Sequence, residues 1–168
     1  MNRLWTPWRS KYIESFSDKD DGSPKKCIFC DKVSGTDDEK NLVIHRGTHS
    51  LIMLNLYPYN SGHLMVVPFS HKSEFGELTA DENADVMKET QLAMKLLLAT
   101  SHPDGFNFGA NFGRVSGAGI ADHVHFHIVP RWNGDTNFMP VLGETKIISE
   151  DLTDTYRKLT AALRTAKV

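Results

Sequence analysis

Several short runs of the chain are rich in apolar residues and bounded by polar ones, a pattern that predicts β-strands. Three such runs are bounded by polar turns, at Leu42–Arg46, Ser50–Asn55 and His63–Pro68. A fourth run, with Phe106, Phe108, Ala110 and Phe112 at alternate positions, predicts a strand with one buried face. A fifth strand is predicted over the run HVHFHIVPR at 123–131.

Two stretches carry helical spacing instead. Thr79 and Glu82 form a capping box, which predicts the start of a helix. Behind it, side chains keep helical spacing up to about residue 100, at Val86, Thr90, Ala93 or Met94, and Leu97. A last helix, capped by Ser149, carries Leu152, Tyr156, Leu159 and Leu163 on one face. The fold class is therefore α+β: an antiparallel five-stranded sheet with one principal helix packed on it.

Length and composition narrow the class of protein. We expect the 168 residues to form a single domain, and 40% hydrophobic and 24% charged residues are typical of a soluble one. Nineteen basic and 21 acidic residues give a net charge of −2, so no overall basic field favours nucleic acid. The lack of a long apolar run or a signal-like N-terminus leads us to expect a cytoplasmic protein without a membrane span.

The histidine run at 123–131 is the strongest indication of chemistry. His123, His125 and His127 fall at every second position, so a strand would place all three on one face. The residues between them would then face a core. Histidine acts near neutral pH as a nucleophile, a proton carrier or a metal ligand. The alternative interpretation is a surface strand that is rich in histidine by chance.

Cys27 and Cys30 have the spacing of half a structural zinc site. Two closely spaced thiolates occupy two corners of a tetrahedron, and His71 and His123 are the best candidates for the other two. The alternative is a buried or redox-active pair. A redox dithiol is expected between a strand and a helix, whereas this pair lies between polar stretches, so we favour zinc.

Two further features lie close to the histidine run. The glycine-rich loop Gly113–Gly119, which includes Arg114, could hold phosphate with its backbone N–H groups. His63 follows a glycine at the start of a predicted strand. It is either part of an ordinary turn or a group that orients one of the triad histidines, and the residues alone do not decide between the two.

Together these residues resemble the histidine-triad (HIT) superfamily of nucleotide hydrolases and transferases. HVHFHIVPR resembles its His-x-His-x-His signature, and MLNLYPYNSGHLMVVPFSH at 53–71 looks like its ribose-binding strand, turn and next strand. The cysteine pair resembles that of zinc-bearing members. The resemblance covers residues 27–135, with 1–26 and 136–168 as extensions. The chain resembles a zinc-bearing bacterial member of the superfamily, similar to the diadenosine tetraphosphate phosphorylase-like and fragile-histidine-triad branch.

The resemblance implies a role for each matching residue. His125 would attack the α-phosphorus of an adenine nucleotide or dinucleoside polyphosphate and form a covalent nucleotidyl-histidine. His127 would bind the phosphate oxygens, and His63 would orient the nucleophile. Asn55 would hold the ribose hydroxyls, and Asn111 would contact phosphate.

The resemblance also implies a structural zinc on Cys27, Cys30, His71 and His123, and a homodimer in which two sheets join edge to edge. One position departs from the pattern, because Gly119, a candidate substrate-binding residue, stands where many dinucleoside-polyphosphate hydrolases carry glutamine. Hydrolysis and phosphorolysis therefore both remain open. Two other functions also remain open: a metallohydrolase with all three histidines on one metal, and a nucleotide-binding regulator with little turnover.

Overall fold

The computed structural model describes residues 27–138 and 150–166, together with residues 142 and 148. The predicted α+β fold is confirmed, since five strands form one antiparallel sheet in the order β1-β2-β3-β5-β4. The strands are β1 (Val43–Arg46), β2 (Ser50–Leu54), β3 (Leu64–Pro68), β4 (Gly105–Ala110) and β5 (Phe126–Arg131). The helices are α1 (Ile28–Ser34), α2 (Ala80–Ser101) and α3 (Leu152–Thr165). The predicted extension 1–26 lies outside the described residues.

Helix α2 is the principal helix that the sequence predicts, and it packs against β2, β3 and β5. Its capping box is present as predicted, because Thr79 Oγ1 accepts from the backbone N–H of Glu82 and Glu82 Oε2 accepts from that of Thr79. The helix ends at His102, whose φ of 48° is left-handed. No helix in the described part of the chain is both long and apolar enough to cross a bilayer.

The sheet has a buried cluster on each face, and the two clusters have different partners. The first lies under α2 and α3 and includes Val124, Phe126 and Ile128, the residues between the histidines. They therefore face a core, as expected. The second cluster lies on the opposite face, next to α1, and consists of Phe29, Val43, Leu51, Met53, Met65 and Val67. The histidines that alternate with the first cluster are on this second side of the sheet.

The structure corrects the predicted extent of the histidine strand. Strand β5 begins only at Phe126, so His127 lies in the strand, whereas His123 and His125 precede it. If the β3–β5 register continued, Pro68 would face Val124. Proline has no N–H to donate, so regular pairing stops before that point. The histidines are held there by other hydrogen bonds, described below.

The prediction of one buried face for the Phe106–Phe112 run is confirmed only in part, because Phe106 and Ala110 are partly buried against the first cluster but Phe108 and Phe112 are exposed. Strand β4 lies at the margin of the sheet, where Phe108 is 42% exposed, and Phe112 lies beyond the strand and is 41% exposed. The start of the last helix also differs from the prediction. Asp151 caps α3 by accepting from the backbone N–H of Thr153, and Ser149 lies outside the described residues.

Candidate active site and metal centre

The four residues predicted as metal ligands meet at one point. Their ligand atoms, on Cys27, Cys30, His71 and His123, all lie within 4.8 Å of one another. Among the described residues this is the one group of three or more cysteine, histidine or acidic side chains with such geometry. The cysteines come from the start of α1, His71 follows β3, and His123 precedes β5. Three separate parts of the fold therefore converge on this cluster.

The spacing within the cluster fits a tetrahedral ion. Usual zinc–sulfur and zinc–nitrogen bond lengths put a tetrahedral S···N pair about 3.6 Å apart and an N···N pair about 3.3 Å apart. Cys27 Sγ lies 3.4 Å from His123 Nδ1, and Cys30 Sγ lies 3.3 Å from His71 Nδ1 and 3.7 Å from His123 Nδ1. The two Nδ1 atoms are 3.3 Å apart. These residues could therefore hold one metal ion without a large rearrangement.

His123 is oriented for this role by a hydrogen bond from its other nitrogen. Its Nε2 lies 2.9 Å from the carbonyl oxygen of Pro68, and the ring is fully buried. A carbonyl only accepts, so Nε2 carries the proton and Nδ1 presents a lone pair to the cluster. This backbone contact is the usual way in which a protein fixes the tautomer of a ligating histidine.

His125 and His127 line a separate cavity of about 380 Å³ on the same side of the sheet. Asn55, Asn111 and Gly119 line it too, so the structure brings together five of the six residues predicted for catalysis and substrate binding. The sixth, His63, lies behind His127 with no exposed surface.

The hydrogen bonding of His125 determines which nitrogen can react. Its Nδ1 lies 2.9 Å from the carbonyl oxygen of His123, so Nδ1 carries the proton and donates. The lone pair is then on Nε2. Burial lowers the pKa of His125 below its ordinary value near 6.5, against the opposing effect of this hydrogen bond. The ring is therefore neutral at pH 7, the state in which an imidazole can act as a nucleophile.

A relay of hydrogen bonds similarly fixes the tautomer of His127. The backbone N–H of Tyr59 donates to His63 Nδ1 over 3.0 Å, so the proton of His63 is on Nε2. That Nε2–H faces His127 Nδ1 at 2.9 Å and donates to it. A neutral His127 then carries its own proton on Nε2, as a hydrogen-bond donor. Burial, followed by the proximity of His127 and His125, lowers the pKa of His63 to about 3, so His63 is neutral at pH 7.

Sequence reasoning missed two aromatic residues of the site. Tyr59 packs against both members of the relay, with ring centroids 4.6 Å from His63 and 5.5 Å from His127. Phe29 lies between the two cysteines in sequence and packs 4.8 Å from the His125 ring and 5.5 Å from that of His123. The apolar residue inside the Cys-x-x-Cys motif was a usable signal for the second contact. The Tyr59 contact depends on a backbone N–H and has no sequence signal.

The wall formed by α1 was also not predicted. Ile28, Asp31 and Lys32 line the cavity from this helix, and Asn41 lines it from the segment that follows. Cys30 lies in the first turn of the same helix, so α1 contributes both to the candidate metal site and to the cavity wall. A seven-residue helix is too short for its apolar spacing to stand out in the sequence.

Comparison with known proteins agrees with this geometry. The HIT domain family model matches residues 36–134. An AP-4-A phosphorylase from Mycobacterium tuberculosis is 43% identical over 163 residues, covering 95% of this chain and 83% of that protein. An adenosine 5'-monophosphoramidase from Schizosaccharomyces pombe is 33% identical over 107 residues, covering 64% of this chain and 75% of that protein.

A solved structure shows the same architecture. A zinc-bound histidine triad family protein from Mycobacterium smegmatis superposes with a TM-score of 0.67 at 26% identity, covering 83% of this chain and 94% of its own. The family model spans more than half of the chain, and the M. tuberculosis relative aligns over nearly all of it. The chain therefore belongs to the HIT domain family.

Proposed function

We propose that the protein is an enzyme that attacks the α-phosphorus of an adenine dinucleoside polyphosphate through a covalent nucleotidyl-His125 intermediate. The observation that carries the proposal is the anchored tautomer of His125, with Nδ1–H on the His123 carbonyl and the Nε2 lone pair beside the cavity. The similarity to an AP-4-A phosphorylase supports the choice of substrate class. The similarity to an adenosine 5'-monophosphoramidase supports an adenine nucleotide more generally.

The proposed reaction has two displacements at the same phosphorus. His125 Nε2 forms a P–N bond while the bond from the α-phosphorus to the bridging oxygen breaks, and the leaving nucleoside polyphosphate keeps that electron pair. Water or inorganic phosphate then attacks the phosphorus, and the P–N bond breaks with its electron pair returning to Nε2. With diadenosine tetraphosphate, the first step releases ATP. The second step yields AMP with water or ADP with phosphate.

Negative charge on the phosphoryl oxygens requires donors that are already in place. The Nε2–H of His127, set by the relay through His63, would be one donor. Asn111 and the backbone around Gly117 and Gly119 lie along the same cavity and would supply others. Asn55 and Phe29 line the same cavity; Asn55 would hold the ribose hydroxyls, and the apolar wall that includes Phe29 would surround the base.

We infer that the Cys27, Cys30, His71 and His123 cluster holds a structural zinc ion. Four protein ligands complete a tetrahedron, so the ion would supply rigidity rather than an open position for substrate. The soft thiolate pair and the fixed tautomer of His123 favour zinc over harder cations. Phe29, between the two cysteines, would then be held against His125.

The geometry favours this reaction over a metallohydrolase that uses all three triad histidines. His123 Nδ1 faces the cysteines, whereas His125 directs Nδ1 at a carbonyl and His127 at His63. A common ion would require at least two of these rings to give up their present hydrogen bonds. A nucleotide-binding regulator would share the same cavity, and turnover measurements distinguish it from the enzyme.

The proposal includes a cytoplasmic homodimer. The long exposed edge of β4, with Phe108 on it, offers backbone groups and apolar surface to the same strand of a second copy. A reducing compartment would keep both cysteines available as metal ligands.

Product analysis tests the proposed reaction. The purified protein is incubated with diadenosine tetraphosphate, with and without inorganic phosphate, and the nucleotides are identified by mass. We expect ADP and ATP with phosphate if the enzyme is a phosphorylase, or AMP and ATP in both conditions if it is a hydrolase. His125→Ala should abolish either reaction.

The exposed residue His102 provides the matched control, as His102→Asn, since asparagine also tolerates its left-handed backbone. Tight AMP binding without turnover would instead indicate a regulator.

A further inference from the structure

The residue that follows the metal-site histidine His71 makes a contact that the proposed reaction does not use. The carbonyl oxygen of Lys72 accepts a 2.7 Å hydrogen bond from the backbone N–H of Val124. Val124 lies between His123 and His125, where regular strand pairing has stopped. This bond is therefore one of the few backbone attachments of the segment that presents the nucleophile.

The side chain of Lys72 is attached in turn to helix α2. Its Nζ lies 2.7 Å from Glu82 Oε2, and the two side chains are only 26% and 11% exposed. Glu82 Oε2 also accepts from the backbone N–H of Thr79, so the ion pair is joined to the capping box. Glu82 accepts hydrogen bonds from Lys72, which has the larger effect, and from Thr79. These bonds lower the pKa of Glu82 to about 2, which keeps the carboxylate ionised.

These contacts form a continuous connection from one face of the sheet to the other. Helix α2 packs on the face opposite the cavity, and its first turn holds Glu82. From Glu82 the connection passes through Lys72 to Val124, which is covalently bonded to His125. A 22-residue helix is a rigid support, whereas the segment before β5 has no regular strand partner there.

We propose that Lys72 and Glu82 are positioning residues, whose ion pair fixes the Lys72 carbonyl and through it the orientation of the His125 imidazole. The inference rests on the proposed function for its catalytic consequence, but its structural part does not. Neither side chain lines the cavity, so neither is expected to touch substrate. The ion pair would act on the rate of transfer rather than on nucleotide affinity.

The chain offers variants that separate this role from simple structural support. Glu82→Gln removes the charge but retains the capping box, because glutamine also serves at this position. Lys72→Met removes the ammonium and retains an apolar stem of similar length, and Lys72→Arg restores a cation. The matched control is Asp154→Asn, which removes the carboxylate of an exposed ion pair with Arg157 on α3.

Kinetics and histidine NMR of the metal-loaded protein provide the test. We expect Glu82→Gln and Lys72→Met to lower kcat about 10-fold to 100-fold, the scale that misplacement of a reacting group produces, with KM changed less than twofold. Lys72→Arg should recover most of the loss, and Asp154→Asn should match wild type. Long-range ¹H–¹⁵N spectra without substrate should show the Nδ1–H tautomer of His125 in wild type and shifted or broadened His125 signals in the two variants.

The kinetic and NMR measurements together distinguish a failure of the positioning role from a failure of the proposed function. If wild type turns over no nucleotide but the His125 signals move in the variants, the positioning role is supported and the proposed function fails. If both variants keep wild-type His125 signals and wild-type kcat, the positioning role is overturned whatever the protein's reaction is. A fall in thermal stability with unchanged His125 signals would also overturn it, because the ion pair would then be purely structural.

Discussion

The Nδ1–H of His125 donates a 2.9 Å hydrogen bond to the carbonyl oxygen of His123, the residue that also contributes Nδ1 to the metal cluster. One residue therefore presents its ring to the cluster and its backbone to the neighbouring imidazole. The Phe29 ring packs against both imidazole rings, with centroids 5.5 Å from His123 and 4.8 Å from His125. The candidate metal ligands and the proposed nucleophile are thus directly connected, although they lie in separate sites.

Removing the hydrogen-bond relay through His63 should lower the rate of the reaction more than it weakens substrate binding. His63→Asn removes the Nε2–H that sets the tautomer of His127, so we expect kcat to fall about 10-fold to 100-fold. KM should change less than kcat, since His63 lies behind the cavity wall and reaches the proposed ribose site through its 3.3 Å contact with Asn55 Nδ2. His63→Gln, whose longer amide can place a donor near the former Nε2, should recover part of the rate. Steady-state kinetics measure both constants, and an unchanged kcat in His63→Asn would contradict the relay.

Metal analysis tests the assignment of ligands. We expect one zinc per chain in wild type, and its loss in Cys27→Ser and in His71→Asn, because each variant removes one corner of the tetrahedron. His127→Asn is the matched control and should retain the ion, since its ring faces His63. Elemental analysis after dialysis gives the stoichiometry. Two ions per chain, or loss of zinc in His127→Asn, would favour metal chemistry in the cavity instead.

Asp85 on α2 leads to a prediction about acid stability. Burial alone would raise its pKa, but hydrogen bonds from the Ser50 hydroxyl and the backbone N–H groups of His49 and Thr48 outweigh it and lower the pKa below 3.8. The ionised form is thus favoured in the folded state. Its contribution is complete well above pH 3.8 and is lost as pH falls through the lower folded-state pKa.

Asp85→Asn should therefore reduce the free energy of unfolding by about 1.5 to 3 kcal/mol near neutral pH, the usual scale for hydrogen bonds to a charged group. The difference from wild type should stay constant down to about pH 5 and shrink below 3.8. Denaturant titrations at a series of pH values measure it, with the exposed carboxylate of Asp154, as Asp154→Asn, for comparison. A difference that does not depend on pH would show that the charge of Asp85 is irrelevant to stability.

Much of the fold follows from local signals. The capping box of Thr79 and Glu82 predicted the start of α2, and short apolar or alternating runs between polar turns located all five strands to within a few residues. Cysteine and histidine types were sufficient to predict which four side chains lie together, because few combinations of side chains suit a tetrahedral ion. These features depend on the types of the side chains and on their spacing, both of which can be read from the sequence.

The remaining features depend on backbone groups and on neighbours distant in sequence. The tautomers of His123 and His63 are set by the Pro68 carbonyl and the Tyr59 N–H, and every residue has such groups. The exposure of Phe108 follows from the position of β4 at the sheet margin, whereas its spacing in the sequence is that of a buried residue. Lys72 looks like an ordinary surface lysine until α2 is placed beside it.

Mass spectrometry can detect the proposed covalent bond between AMP and His125 directly. Wild-type protein is mixed with diadenosine tetraphosphate, quenched in base to preserve a phosphoramidate, and digested for tandem mass spectrometry, with His102→Asn and His125→Ala treated in parallel. We expect one added AMP group on His125 in wild type and in His102→Asn, and none in His125→Ala. An AMP group on another residue, or turnover with equal labelling in His125→Ala, would contradict it.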